Sequence, residues 1–278
     1  MVTVFVQDLP VQLKSWHDLD FIHAFGRVFR VFDHLISGNL CFGVENEQGR
    51  FFIKYAGAPT INYLGYPEEA IERLQKAAQT YQVLAHPAIP PLLGMEETPH
   101  GLLCVFPWLS GFPLGPLPQH FDAMRRLSVI DRLAMLDPVF SLLALASQRD
   151  YIAAGLADNH LLVDFQKPSL TLCSVDDFVK MPCVNARGRL PGAPWYLAPE
   201  AYHTGASLDE GVTVYAMGAL AMTFFGDRDA PSPSSWCAAP RLYEVAKKAL
   251  SHEKTKRFPS AQSFLDAWRQ AVRNTPFS

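Results

Sequence analysis

The stretch V-F-R-V-F-D-H-L-I-S-G-N-L-C-F-G-V-E-N-E-Q-G-R-F-F-I-K-Y (28–55) decides the fold class. It divides into three runs rich in β-branched and aromatic residues: V-F-R-V-F (28–32), L-C-F-G-V (40–44) and R-F-F-I-K-Y (50–55). That composition suits a pleated, half-buried surface, so residues 26–55 read as strands. Gly38-Asn39 and Gln48-Gly49 punctuate the runs as turns.

Working outward, the pattern becomes helical. Pro67 fits a first helical turn, and Glu68 and Glu69 suit its positive end. Ile71, Leu74, Ala78 and Tyr81 then repeat at helical spacing. H-P-A-I-P-P (86–91) stops the helix, L-L-C-V-F (102–106) reads as another strand, and S-G-F-P-L-G-P-L-P (110–118) as a connection between lobes. Beyond residue 120 helices dominate. Ser128 is placed to cap one, and Asp137-Pro138 to start another that carries V-F-S-L-L-A-L-A (139–146). Short strands at 161–163 and 170–175 flank a turn at Lys167-Pro168, and helical stretches near 211–225 and 240–272 follow. The order is α+β, a strand-rich N-terminal lobe with one helix and then a helical lobe, with a ligand-binding cleft expected between them.

The chain has 278 residues, 49% apolar and 18% charged, with net charge −3 and pI about 6.3. This argues against a nucleic-acid or anionic-membrane surface. The 139–146 run is too short to span a bilayer, and M-V-T-V-F-V-Q-D lacks the basic start of a signal peptide. Cys41, Cys104, Cys173, Cys183 and Cys237 show no metal-ligand spacing, so buried free thiols in a reducing cytoplasm are expected.

Over roughly residues 26–270 the order and punctuation resemble the protein-kinase family, which implies a bilobal fold (N-lobe about 20–109, C-lobe about 119–275, together one kinase-like domain). P-W-Y-L-A-P-E (194–200) resembles the end of a kinase activation loop. The resemblance then implies that Glu200 pairs with Arg257 of H-E-K-T-K-R-F-P-S-A (252–261). Y-A-M-G-A-L (215–220) is similar to the helix after the substrate-binding segment. F-F-I-K (51–54) resembles the strand whose lysine, here Lys54, holds ATP phosphates. H-P-A-I-P (86–90) is similar to the turn after the lobe helix. V-F-P-W-L-S-G (105–111) resembles the hinge, with Phe106 as gatekeeper and the Pro107 carbonyl and Leu109 N–H facing adenine. S-V-D-D-F (174–178) resembles the metal-binding segment, with Asp176 in that role and Asp177 as second choice. ATP with Mg²⁺ or Mn²⁺ is the cofactor so implied, and a protein is the implied partner or substrate.

The departures concentrate on the chemistry. Of the glycines expected in the phosphate loop only Gly38 remains, with Ser37 and Asn39 beside it. Phe52 stands where a small residue usually covers adenine. The helix position for a glutamate that pairs with the lysine falls on Ala77. Glu72 lies about 140° around the helix from it, and Glu69 about 80° around but two turns away. The loop D-Y-I-A-A-G-L-A-D-N-H-L-L-V-D-F (150–165) offers no aspartate base in either register. One register puts Gly155 at the base and His160 at the metal; the other puts Ala154 and Asn159 there. Asp158 is the only carboxylate inside the loop. Thr213 replaces the aspartate that buttresses the loop, and no Ser or Thr falls within 177–199. The loop is most similar to those of small stand-alone bacterial kinase-like proteins. A pseudokinase acting through binding is the expectation. The alternatives are an atypical Ser/Thr kinase using Asp158 and Asp176, a small-molecule phosphotransferase of the aminoglycoside-kinase type, or an unrelated α+β protein.

Overall fold

The N-terminal region is built on a five-stranded antiparallel sheet. Its strands are β3 (Arg27–Phe32), β4 (Asn39–Asn46), β5 (Gly49–Ala56), β6 (Gly94–Thr98) and β7 (Gly101–Pro107), in the order β3-β4-β5-β7-β6. Before them comes a hairpin of β1 (Val2–Val6) and β2 (Leu9–Leu13). The computed structural model describes residues 1–115, 117–186, 188–228 and 231–275. The protein is α+β, with a β-rich N-terminal region and helices in the C-terminal part. The chain forms two compact units, Met1–Ala85 with Pro90–Ser110, and His86–Ile89 with Gly111–Ser278.

In the first unit the register fixes which side chains share a face. Cys41, Lys54 and Cys104 lie opposite one another across β4, β5 and β7, and so do Gly43, Phe52 and Phe106. Side chains alternate along a strand, so these six share one face. Helix α1 (Pro67–Val83) packs against the sheet, starting at Pro67 as its composition predicts. The other face carries Leu40, Phe42, Val44, Ile53, Tyr55 and Leu103. They form one core with Val6, Val11 and Leu13 of the hairpin and with Leu19 and Ile22 from the 3₁₀ turn at Asp20–Phe25. Each aliphatic side chain buried this way contributes about 1.5–3 kcal/mol. The hairpin, which the sequence did not announce, extends the first unit below the expected boundary near residue 20.

The second unit is built on helices: α2 (Pro118–Arg126), α3 (Val129–Gln148), α4 (Glu210–Phe225), α5 (Pro240–Ala249) and α6 (Ala261–Arg273). Ser128 caps α3, accepting from Asp131 N at 3.0 Å. A helix was expected to begin at Pro138, but α3 runs through it. The bond that Pro138 cannot make is offset by packing around it. Val139, Phe140, Leu142 and Leu143 are buried, Phe140 meets Phe264 and Trp268 edge-on, and Arg269 of α6 grips Asp137 with two 2.7 Å bonds. The stretch expected to be helical over 240–272 is broken after Ala249; Pro259 disfavours helix at the residue before it. Short strands complete the unit: β8 (Phe112–Pro113), β9 (Tyr151–Ile152), β10 (Leu161–Asp164), β11 (Ser169–Leu172), β12 (Val179–Lys180), β13 (Cys183–Val184) and β14 (Ser207–Leu208). Phe112–Pro113, expected to be pure connection, pairs with β10; Pro116 lies outside the described residues. Cys41 and Cys104 are buried, but Cys237 is exposed in the loop before α5, against the expectation for all five thiols. No helix among the described residues is long and apolar enough to cross a membrane.

Candidate functional site

Lys54 reaches this geometry because β5 is a central strand, and its position in the register turns it toward α1. It is 6% exposed, donates to Tyr81 Oη at 3.2 Å, and lies 5.4 Å from the Tyr81 ring centre and 5.5 Å from that of Phe106. Tyr81 and Phe106 pack together at 4.8 Å. Ala77, the expected carboxylate position, is buried one turn before Tyr81. Glu72 is exposed, and Glu69 accepts from Tyr66 N and Tyr63 Oη. Tyr81 repeats at helical spacing in the sequence, a signal that gives no sign of the hydrogen bond its hydroxyl makes with Lys54.

The face around Lys54 is filled with rings. Phe52 meets Phe32 at 5.8 Å and Trp108 at 6.2 Å, and Trp108 meets Phe29 edge-on at 4.9 Å. A Cβ on Gly43 would lie 2.7–2.8 Å from Phe29 and Trp108, so the glycine opposite Phe52 makes room for two of these rings. Pro107 and Leu109 flank Trp108 and are half-buried. At the β3–β4 turn Gly38 has φ +75°, and a Cβ there would strike the Tyr63 ring at 2.7 Å. Tyr63 belongs to the loop after β5. That loop is tied down by Asn62 Nδ2 donating to His34 O at 2.8 Å, by Lys14 donating to Tyr63 O, and by Arg73 donating to Tyr63 Oη. The chain's own tyrosine thus fills the space above Gly38.

In the second unit, the loop after β9 turns at Gly155 with φ +75°. A Cβ at this position would overlap the Asp177 side chain, coming within 2.8 Å of its Cγ and Oδ2 and closer to its Cβ. Asp176 and Asp177 occupy a turn after β11, with Asp176 N donating to Ser174 Oγ at 3.4 Å. Asn159 is exposed, and its carbonyl accepts from Cys173 Sγ. No cluster of three or more His, Cys, Asp or Glu side chains able to hold a metal occurs among the described residues. Thr213 of α4 is fully buried, and its Oγ1 accepts from Ala153 N at 3.0 Å.

Asp158 is 8% exposed and surrounded by donors. Its Oδ1 accepts from Trp195 Nε1 at 3.3 Å, Tyr196 Oη at 2.8 Å and Arg228 Nη1 at 3.0 Å, and Oδ2 accepts from Arg228 Nη1 at 2.9 Å. The Arg228 guanidinium lies 3.9 Å from the Trp195 ring centre and 4.6 Å from that of Phe121. Burial, and then the Asp158 charge, push the Tyr196 phenol well above its ordinary range, so it donates as a neutral hydroxyl. Arg228 carries no sequence signal; its partner is seventy residues away.

Glu200 and Arg257 are brought together as a bidentate pair, Nη1 to Oε1 at 2.7 Å and Nη2 to Oε2 at 2.9 Å. Arg257 is 3% exposed and also donates to the carbonyls of Gly211, Ser251 and His252. No family model matches this chain, and no curated protein matches it.

Proposed function

We propose that this is a protein of the protein-kinase fold that has lost phosphoryl transfer and acts by binding a protein partner. The two units are read as its two lobes. Several observations support the reading. The N-terminal sheet presents a buried lysine on its third strand toward a single helix. Glu200 pairs with the buried Arg257, and Thr213 holds the backbone before the 155–158 loop, as a buttress would.

The observation that carries the loss of activity is the state of Asp158. A general base needs a free lone pair within reach of the substrate hydroxyl. The buried Oδ1 of Asp158 already accepts three hydrogen bonds, and Oδ2 is held by Arg228. Gly155, the other base position, has no room for a side chain. On the first unit, the rings of Phe29, Phe32, Phe52 and Trp108 occupy the face where a base would stack, which favours a partner-binding role over a nucleotide-driven one. In this reading Asp176, Asn159 and Lys54 would be the residues left to hold Mg²⁺ or Mn²⁺ and the phosphates of ATP.

The test is a thermal-shift titration with ATP and Mg²⁺ or Mn²⁺, paired with a transfer assay on generic protein substrates. Specific nucleotide binding would raise the midpoint by mass action; no shift and no transfer are expected. Metal-dependent transfer that disappears in Lys54→Ala or Asp176→Ala would overturn the proposal, and its dependence on Asp158 would then identify the atypical-kinase alternative.

A further inference from the structure

We propose that the first unit carries a binding site for an organic cation, a site independent of the kinase-fold reading. It is a cavity of about 660 Å³ where separate segments converge, within the usual range for small-ligand sites. Trp16 and His17 come from the chain after β2, Glu68 and Ile71 from the start of α1, Glu97 from β6, and His100 from the β6–β7 turn.

The chemistry of the wall selects the ligand. Glu68 and Glu97 supply two carboxylates, and neither lysine nor arginine lines the cavity. His17 adds no balancing charge at neutral pH: burial, and then His100, hold its imidazole below the usual range. Its ring is anchored, with Nε2 2.7 Å from the buried Tyr55 Oη. Trp16 lines the cavity and is 74% exposed, so its indole is open to a ligand. Indole faces attract ammonium and guanidinium groups, and carboxylates bond them directly. Ile71 and the Trp16 ring offer an apolar surface for the rest of the molecule. An anion would face two carboxylates with no cation to offset them. The ligand is therefore an amine or guanidine with a flat or apolar body, either free or as a lysine side chain of a peptide.

Calorimetric titration of the full chain with tyramine tests the free amine, and with acetyl-Gly-Lys-Gly-amide the side chain. Saturable binding by either probe, in the millimolar range or roughly tighter, is expected. The alcohol of the tyramine frame should bind at least about tenfold more weakly, and Trp16→Ala and Glu97→Gln should each weaken binding by about tenfold. Both substitutions are at exposed positions, so melting curves should be unchanged. The inference fails if neither probe saturates, if the alcohol binds as tightly as the amine, or if both variants bind like the parent.

Discussion

The segment 194–200 is gripped at each end by a carboxylate–guanidinium pair, and the two pairs are built on different principles. At its far end, Glu200 meets Arg257, whose remaining donors go to three backbone carbonyls. At its near end, Trp195 and Tyr196 donate to Asp158, whose cation Arg228 lies against two aromatic faces. Arg257 is fixed in direction by oxygens on every donor, with one ring, Tyr215, 5.1 Å from its guanidinium. Arg228 bonds Asp158 through Nη1 alone and lies between two π-surfaces, which tolerate rotation. Asp158, a loop carboxylate, is part of the clamp at the near end.

The largest effect expected from breaking this comparison comes from Arg257→Ala. It leaves the part-buried Glu200 carboxylate without its cation and should lower stability by about 3–5 kcal/mol in urea unfolding. Next is Gly155→Asp, which puts a carboxylate where the proposed kinase-like reading expects a base. Positive φ and overlap with Asp177 together should cost about 3 kcal/mol, and kinase assays should show no activity gained. Asp158→Asn should follow at about 2 kcal/mol, the scale of hydrogen bonds to a charged group. If the Arg228 clamp is what holds Asp158, adding Arg228→Met should recover much of that loss, whereas a catalytic role predicts no recovery. Thr213→Val leaves Ala153 N unpaired and should cost about 1 kcal/mol; Thr213→Ser should restore it.

The smallest effect concerns pH. Burial lowers the pKa of His17 in the first unit and of His86 in the second below the ordinary imidazole value near 6.5. Below that value the unfolded chain binds more protons than the folded one, so stability rises with pH there. Melting temperature should be flat above neutrality and fall as the pH drops through about 6.5. A rise on acidification would contradict both assignments.

What was legible in the sequence follows from how local each signal is. The start of α1 is written in Pro67, Glu68 and Glu69, and the strands in their β-branched runs, because neighbours along the chain determine them. Glu200 and Arg257 were legible through the motifs around them. Arg228 was not, because an aromatic sandwich has no fixed spacing and its members come from three distant stretches. Tyr81 was misjudged for another reason: one side chain both packs a core and bonds a lysine, and periodicity reports only the first. Gly38 stood out as a turn glycine, but nothing near it pointed to Tyr63, twenty-five residues on, as the ring that fills its space.

The N-terminal hairpin has a practical consequence for where the chain can be cut. A fragment beginning near residue 20 would keep all five strands of the main sheet but lose Val6, Val11 and Leu13. Phe42, Val44 and Ile53 would then lie open on a flat, strand-rich surface, the kind that recruits other chains edge to edge. Such a fragment should aggregate on expression, because Val6, Val11 and Leu13 are what cover that face of the sheet.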